Sequence, residues 1–442
     1  MLIRIVALTF VVLSTLSAHA YFANDDLAFA SPYEVGMSAE RLGNIDNVIQ
    51  RAIDDGEIPH GAALVARHGK IVYQGYFGHS DLESGASLRE DTIFRIASMT
   101  KAVTSVAAMM LYEEGHFLMN DPLYKYIPAF RDSQVAVLSE DGDSFTTRDP
   151  VRPITIRDVL NHQAGMIYQP FFAGPLSDLY LQEGVAEIFP FRRNESLESY
   201  INRYATVPMF GDPGGEVTYG VATDVLGRLV EVWSGMLLQD FFRERIFEPL
   251  GMEDTSFFLP DNSPKVERLA TMYTSIDGVS LEKRQTAEVH SEVAGPRMLG
   301  CGAAGLLSTP TDYFRFAQML LNKGVFNGHR ILSHKSVAMM TSNQLGETRL
   351  PDFLRILGDQ TGFGMAIRNE RGVWDGLESP GTLSFAGIYW TRFWIDPQED
   401  LIIISMTQAY TLDQSGFAHK VKNVVYQAIS RPDEMVWPKF KK

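Results

Sequence analysis

Residues 94–115 read FRIASMTKAVTSVAAMMLYEEG and predict a helix that begins near Ser98 and ends at Gly115, a residue type common at helix C-termini. Apolar residues occupy most of the circumference of this helix, which is typical of a helix buried in a protein core. Ser98, Lys101 and Ser105 fall on one stripe, at positions i, i+3 and i+7. The stretch therefore predicts a buried helix with a serine and a lysine side by side at its start.

Two interpretations of this pair compete. In the ordinary one, Ser98 caps the helix and Lys101 is solvated. In the other, the lysine amine takes the proton of the serine hydroxyl, which is a poor nucleophile without a nearby base. The buried helix favours the second, because a lysine in its first turn must reach a cleft or find a partner. A further Ser-x-x-Lys, Ser280 to Lys283, lies in a polar segment with no apolar helix behind it, and we interpret it as chance.

Composition narrows the class of protein. The chain has 442 residues, 45% hydrophobic and 21% charged, as expected for a globular protein with a sizeable core. Its net charge of -15, without any Lys/Arg-rich run, argues against nucleic-acid and anionic-membrane partners. The sole cysteine, Cys301, allows no internal disulfide, and its small apolar neighbours favour a packing role.

Several motifs of other enzyme classes are missing from the sequence. The ten histidines show no HExxH or paired spacing, so no metal site is predicted. His162, in LNHQAGM, is interpreted as a loop brace rather than a catalytic residue. No Gly-x-Ser-x-Gly elbow, dinucleotide motif or P-loop is present, which argues against an α/β-hydrolase and against a nucleotide cofactor. We expect no cofactor.

The first twenty residues have the layout of a secretory signal. Arg4 precedes an apolar run from Ile5 to Leu16, and small residues at Ala18 and Ala20 suggest cleavage after Ala20. The run is shorter than the roughly 20 apolar residues that span a bilayer, although an uncleaved anchor is the alternative. We therefore expect an exported protein, periplasmic or secreted, with no membrane span after cleavage.

Residues 21–442 are predicted to form one α+β domain. Strand patterns at 61–69 and 70–78 form a hairpin, and further strands are expected at 363–369, 382–396 and 400–408. The intervening chain is mostly helical in pattern. Strands at both ends predict one antiparallel sheet flanked by helices, built from residues of about 21–120 and 300–442, with a helical subdomain inserted at about 121–299.

Four segments, in order, resemble the class C β-lactamase-like serine hydrolases, and most closely the family VIII carboxylesterases. They are FRIASMTKAVTSVAAMMLYEEG, ITIRDVLNHQAGM, DPGGEVTYGVATDVLGRLVE and GCGAAGLLSTPTDYFRFAQMLLNKG. The resemblance covers nearly the whole chain after residue 20 and implies a β-lactamase-like fold. It also implies that Ser98 is the acylated nucleophile, Lys101 its base partner and Tyr219 the second acid/base.

The third motif of that family falls on what we predict to be one strand, SFAGIYWTRFWIDP. β-Lactamases carry Lys-Thr-Gly or His-Thr-Gly there and many esterases carry Trp-Gly-Gly, whereas this chain has Phe385-Ala386-Gly387. The resemblance implies that the backbone N–H groups of Ile388 and Ser98 form the oxyanion hole. A glycine at position 387 suits either a site where a ligand approaches the backbone closely or a strand bulge.

Two departures from the family pattern bear on the substrate. Phe385 replaces the cation that holds the carboxylate of penicillins, and Val221 replaces the Asn that contacts the acyl side-chain amide. Because both polar groups are lost, we expect neutral, fairly apolar acyl esters rather than β-lactams or D-Ala-D-Ala peptides. Aromatic residues near the motifs are candidates for the acyl pocket: Tyr168, Phe171, Phe172, Tyr389 and Trp390.

The sequence thus predicts a serine hydrolase for small-molecule esters. Alternatives on the same scaffold are an amidase, a peptidase, an acyltransferase or a β-lactamase. A different class, a catalytically silent exported binding protein, is disfavoured because Ser98, Lys101 and Tyr219 are all present. Oligomeric state is left open.

Overall fold

A computed structural model describes residues 27–186, 188, 195–259, 262–275, 280–284, 300–348, 350–369, 376–411 and 416–430. The predicted signal segment, residues 1–20, lies outside the described residues, so cleavage and export stay predictions. No helix in the described ranges is both long and apolar enough to cross a membrane.

The β-strands are β1 (His60–Arg67), β2 (Lys70–Asp81), β3 (Ala86–Ser87), β4 (Phe94–Arg95), β5 (Val135–Leu138), β6 (Phe145–Arg148), β7 (Tyr273–Ser275), β8 (Glu282–Lys283), β9 (Leu307–Ser308), β10 (Val325–Phe326), β11 (His329–Arg330), β12 (Gln360–Thr361), β13 (Ala366–Arg368), β14 (Thr382–Ala386), β15 (Arg392–Asp396), β16 (Leu401–Met406) and β17 (Ala409–Thr411). The α-helices are α1 (Ala39–Leu42), α2 (Asn44–Asp54), α3 (Thr100–Glu113), α4 (Ile156–Leu160), α5 (Pro175–Glu183), α6 (Leu197–Tyr204), α7 (Ala222–Ser234), α8 (Leu238–Phe242), α9 (Glu248–Leu250), α10 (Pro310–Leu321), α11 (His334–Met340), α12 (Asp352–Arg355) and α13 (Phe417–Gln427). A 3-10 turn, Ala97–Met99, precedes α3.

One eight-stranded antiparallel sheet organises the fold, in the order β12-β13-β14-β15-β16-β1-β2-β3. The two ends of the chain meet where β1 pairs with β16, with Leu64 opposite Ile404. Helices α2 and α13 pack on one face and α10 on the other. The predicted α+β class and the antiparallel sheet built from both termini are confirmed.

Strand β1 shows why the sheet is buried on both faces. Ala62 and Leu64 belong to the large core that also contains α3, whereas Ala63 and Val65 belong to the core beneath α2 and α13. Successive side chains of a strand point to opposite faces, so a strand between two helical layers is apolar throughout. The hairpin predicted at 61–78 forms as β1 and β2.

The single strand expected at 382–396 is wrong, because these residues form two strands, β14 and β15, joined by a tight turn. Gly387 N donates to Thr391 O at 2.7 Å, and Trp390 N donates to Gly387 O at 2.9 Å. Trp390 takes a left-handed conformation, φ 68°. The turn contains aromatic residues, which are common in strands, and it has no Asn-Gly or Pro to indicate that the chain reverses there.

Candidate active site

Ser98 lies on a tight turn between β4 and α3. Ile96 N donates to Leu306 O at 3.0 Å, and Ala97 then adopts φ 43°, in the left-handed region. This conformation costs an alanine about 1–2 kcal/mol, so the packing around it must hold the turn in place. Ser98 follows on the 3-10 turn, half-buried at the edge of a cavity.

Lys101 is fully buried in the first turn of α3. Its Nζ donates to Ser98 Oγ at 3.1 Å and to Ala303 O at 2.8 Å. The rings of Tyr219 and Tyr168 lie beside the amine, with centroids 4.7 Å and 5.6 Å from Nζ. No carboxylate of the described chain lies within ion-pair distance. Lys101 therefore points at Ser98 and is not solvated.

Tyr219 reaches the same serine from a point 121 residues further along the chain, where its Oη donates to Ser98 Oγ at 2.8 Å. Its loop is fixed by Thr218 N, which donates to His162 O at 2.8 Å. The next residue must be a glycine, because a Cβ on Gly220 would lie 2.3 Å from Met166 O. Ser98 Oγ thus lies between an amine and a phenol, an arrangement that can remove a proton from a nucleophile and return one to a leaving group.

His162 has the bracing position expected from the sequence. Its carbonyl holds the Tyr219 loop, and its backbone is left-handed at φ 61°. Burial, followed by the nearby positive charge of Lys101, lowers the pKa of His162 to about 3. The imidazole is therefore neutral near pH 7 and adds no charge to the site.

A cavity of ≈ 200 Å³ opens from Ser98. Predicted site residues that line it are Ser98, Tyr168, Phe171, Tyr219, Phe385, Ala386, Gly387, Ile388 and Trp390. Phe171 and Phe353 are exposed, with ring centroids 5.6 Å apart. Among the described residues, the lining that sequence reasoning missed is Ile188, Phe353, Leu354, Ile356, Leu357, Thr391, Arg392, Gly416, Phe417, Ala418 and His419. Most of these come from segments without a recognisable motif.

Three residues expected in the pocket lie outside its lining. Val221 is fully buried at the N-cap of α7, where its side chain packs in the core. Phe172 packs edge-on against Tyr180, with centroids 5.3 Å apart. Tyr389 is buried in the core and does not line the cavity, whereas its neighbours Ile388 and Trp390 do. Which side chains of a turn or loop face a cavity depends on its backbone conformation, which the sequence pattern does not give.

Contacts within the protein require a glycine at position 387. A Cβ there would lie 2.5 Å from Ile96 O and 2.3 Å from Thr391 Oγ1. The turn after β14 is thereby packed against the residue two positions before Ser98. This contact places Ile388 in the cavity wall with Ser98. The oxyanion role of the two N–H groups stays a prediction.

Phe385 closes one side of the site. It is buried, lines the cavity and stacks on Tyr219 at 28°, with ring centroids 6.3 Å apart. The position that carries a cation in β-lactamases is therefore an apolar surface next to the phenol.

Asp224, in the first turn of α7, supports Lys101 indirectly and was missed by sequence reasoning. Its Oδ1 accepts from Ala303 N at 3.0 Å and from Cys301 Sγ at 3.1 Å, while Ala303 O accepts from Lys101. Burial raises the pKa of Asp224 to about 6, although the hydrogen bond from Cys301 and the charge of Lys101 act in the opposite direction. Cys301 itself is buried, and burial raises the pKa of its thiol.

We expect Asp224→Asn to change how stability depends on pH. The pKa of Asp224 lies at about 6 in the folded protein against 3.8 for a solvated aspartate, so its ionisation costs the folded state free energy. This loss of folding free energy is absent below about pH 4 and grows to about 3 kcal/mol as pH rises through 6. Asparagine does not ionise, so the variant should gain Tm relative to the parent at about pH 8 and not at about pH 4. Equal Tm differences at both pH values in calorimetry would contradict the assignment.

Known proteins resemble this chain along most of its length. A family model described as Beta-lactamase matches residues 45–423. Protein Rv1367c of Mycobacterium tuberculosis is 33% identical over 368 residues, covering 81% of this chain and 88% of that protein. Esterase EstB of Burkholderia gladioli is 26% identical over 397 residues, covering 86% of this chain and 93% of that protein. Among solved structures, EstCE1, a hydrolase with promiscuous acyltransferase activity, superposes with a TM-score of 0.74 at 24% identity, over 88% of this chain and 99% of that one, which shows a shared fold.

Proposed function

Since this chain belongs to the Beta-lactamase family and has the fold of its serine hydrolases, we propose that it is a carboxylesterase that works through an acyl-enzyme on Ser98. The observation that carries the proposal is the pair of short contacts at Ser98 Oγ, 3.1 Å to Lys101 Nζ and 2.8 Å to Tyr219 Oη. They meet at a largely apolar cavity, where an ester can place its carbonyl carbon beside the hydroxyl.

The proposed first half-reaction forms the acyl-enzyme. With Lys101 as the free amine, its Nζ takes the Ser98 proton as Oγ attacks the ester carbonyl carbon, and the carbonyl oxygen becomes an oxyanion. The N–H groups of Ser98 and Ile388, with the N-terminus of α3, stabilise that charge. The ester C–O bond then breaks, and Tyr219 passes a proton to the departing alkoxide.

The second half-reaction releases the acid. Water replaces the alcohol, and Tyr219, which gave its proton to the alkoxide, takes a proton from the water as the water oxygen attacks the acyl carbon. The bond to Ser98 Oγ breaks, Lys101 Nζ returns its proton to the serine, and the carboxylic acid leaves. In the two half-reactions Lys101 and Tyr219 transfer protons in opposite directions. These two side chains therefore supply all the proton transfers of the proposed mechanism.

Two features support an ester over a β-lactam. Phe385 offers no charge to a substrate carboxylate at the third motif, and Val221 is buried where the family's Asn contacts the acyl amide. The esterase of B. gladioli is a relative over 86% of this chain. Removing polar partners that a β-lactam needs weakens its binding more than that of a simple ester.

A substrate panel tests the proposal. We expect kcat/KM for p-nitrophenyl acetate, butyrate or octanoate to exceed that for nitrocefin and for a D-Ala-D-Ala peptide by about 100-fold, because each unpaired polar group costs about 1–3 kcal/mol. Nitrocefin or peptide turnover equal to that of the best ester would make the protein a β-lactamase or a peptidase instead. Acyl transfer to an added alcohol, exceeding hydrolysis, would make it an acyltransferase.

A further inference from the structure

The cavity that opens from Ser98 also reaches a buried guanidinium. Arg392, at the start of β15, lines the cavity and is only 6% exposed. Its Nη2 donates to Ile356 O at 2.8 Å, its Nη1 contacts His419 Nε2 at 2.5 Å, and its Cζ lies 4.9 Å from the centroid of the Trp394 ring. None of these partners is an anion, and Nε has no hydrogen-bond partner in the part of the chain that the structure describes.

Two carboxylates in this region, Glu378 and Asp359, are engaged by other cations. Glu378 accepts from Lys422 at 2.6 Å and from Arg368 at 3.2 Å. Asp359 also accepts from Arg368, at 2.8 Å. Within the described ranges, Arg392 therefore forms no ion pair. Burial lowers the pKa of Arg392 to about 9, against the opposing effect of the Glu378 charge, so the guanidinium is still charged near neutral pH. A buried charge without a counterion is costly, and an anion bound beside it removes part of that cost.

The N-terminus of α13 adds donors to the same end of the cavity. Gly416, Phe417, Ala418 and His419 line it, and no side chain of the described residues caps this 11-residue helix. The first N–H groups of a helix lack intrahelical acceptors, and the helix dipole favours an anion in front of them.

His419 fits this arrangement as a neutral donor. Because an arginine cannot accept a hydrogen bond, His419 Nε2 must be the acceptor, which leaves the proton on Nδ1. Burial, followed by the charges of Arg392, Lys422 and Arg368, lowers the pKa of His419 to about 2. Arg392 therefore remains the only charged group among the described residues that line the cavity.

We propose that Arg392 and the N-terminus of α13 form a subsite for a carboxylate carried by the ester substrate. The inference rests on the proposed esterase activity and refines it: the preferred substrates are half-esters of dicarboxylic acids, or esters of an alcohol that bears a carboxylate. The sequence alone predicts a neutral pocket, because Phe385 replaces the family's cation. Arg392, which lies opposite Ala386 across the β14–β15 pair, supplies a positive charge from a different strand.

Matched pairs of charged and neutral esters test the subsite. One pair is the p-nitrophenyl half-ester of adipic acid against its methyl ester, and the other is 4-butyryloxybenzoate against its methyl ester. In at least one pair, the charged ester should have a KM about 10-fold lower, since hydrogen bonds to charged groups contribute about 1.5–3 kcal/mol. The pair that shows the preference tells whether the carboxylate lies on the acyl or the alcohol side.

Arg392→Met should abolish the preference, so that the charged and neutral members of the pair have equal KM values, and Arg392→Lys should keep part of it. Arg330→Met is the matched control, because it removes one positive charge from an exposed side chain outside the cavity lining. It should leave the preference as in the parent. Equal KM values within both pairs for the parent protein would overturn the proposal.

A binding measurement separates this inference from the esterase proposal. Adipate should raise the Tm of the parent protein more than adipamide does, whether or not any ester is hydrolysed. If esters are not hydrolysed but adipate stabilises selectively, the carboxylate site stands and the esterase proposal fails. If esters are hydrolysed but adipate and adipamide act alike, Arg392 has a structural role only. Because the comparison of adipate with adipamide uses the parent protein, it tests the subsite even if Arg392→Met does not fold.

Discussion

Replacing Ser98 with alanine is expected to reduce ester turnover by roughly 10⁴-fold or more, because removal of a nucleophile leaves only the binding and oxyanion contributions. The side chain is half-buried and small, so the folded state should change little. The measurement is kcat/KM for p-nitrophenyl butyrate, with Tm as the check on folding. Tyr219 and Lys101 stay in place in this variant, so the loss isolates the hydroxyl.

The chain contains a matched control for this substitution. Ser280 belongs to the other Ser-x-x-Lys, but Lys283 there donates to Asp81 Oδ2 at 2.8 Å and to Glu83 Oε2 at 2.9 Å. Ser280→Ala should therefore keep the activity of the parent. Ester turnover that survives in Ser98→Ala would exclude Ser98 as the nucleophile.

Lys101→Met is expected to lower kcat/KM by roughly 10²- to 10⁴-fold, the usual contribution of a positioned proton acceptor. Methionine keeps much of the volume of the buried side chain and removes the amine that lies 3.1 Å from Ser98 Oγ. The change also leaves Ala303 O without its donor, which costs about 1–3 kcal/mol of stability. Activity must therefore be measured well below the Tm of the variant.

Lys283→Met serves as the control for loss of a lysine, because that side chain pairs with surface carboxylates away from the cavity. It should reduce activity less than about 3-fold, since exposed ion pairs contribute little. A Lys101→Met enzyme with more than a tenth of the parent's kcat/KM would show that another group, such as Tyr219, activates the serine.

Much of the fold follows from local patterns. The all-round apolar helix after Ser98 is α3, and the β-rich runs at 61–78 form β1 and β2. These elements are long or carry strong terminal signals, so periodicity suffices. The β14–β15 turn was missed because its reversal depends on packing of Gly387 against Ile96, a contact between distant parts of the chain.

Site residues that belong to a motif could be predicted from the sequence. Residues whose role depends on the direction of the side chain could not. Ser98 and Lys101 lie three positions apart in one motif, and the family resemblance adds Tyr219, 121 positions further along the chain. Whether Tyr389 or Trp390 faces the cavity depends on the conformation of a turn, and the sequence does not settle it. Asp224 and Arg392 were missed because the sequence does not show that these charged residues are buried or which groups surround them.

The most direct test of the account is the mass of the protein quenched during turnover. Rapid mixing with a slowly hydrolysed p-nitrophenyl ester, followed by acid, should trap one acyl group per chain. Trypsin cleavage after Arg95 and Lys101 then releases residues 96–101, IASMTK, and the acyl mass should lie on Ser98 in that peptide. An adduct on another peptide, or steady turnover without any adduct in the parent while Ser98→Ala hydrolyses at the same rate, would contradict the acyl-enzyme.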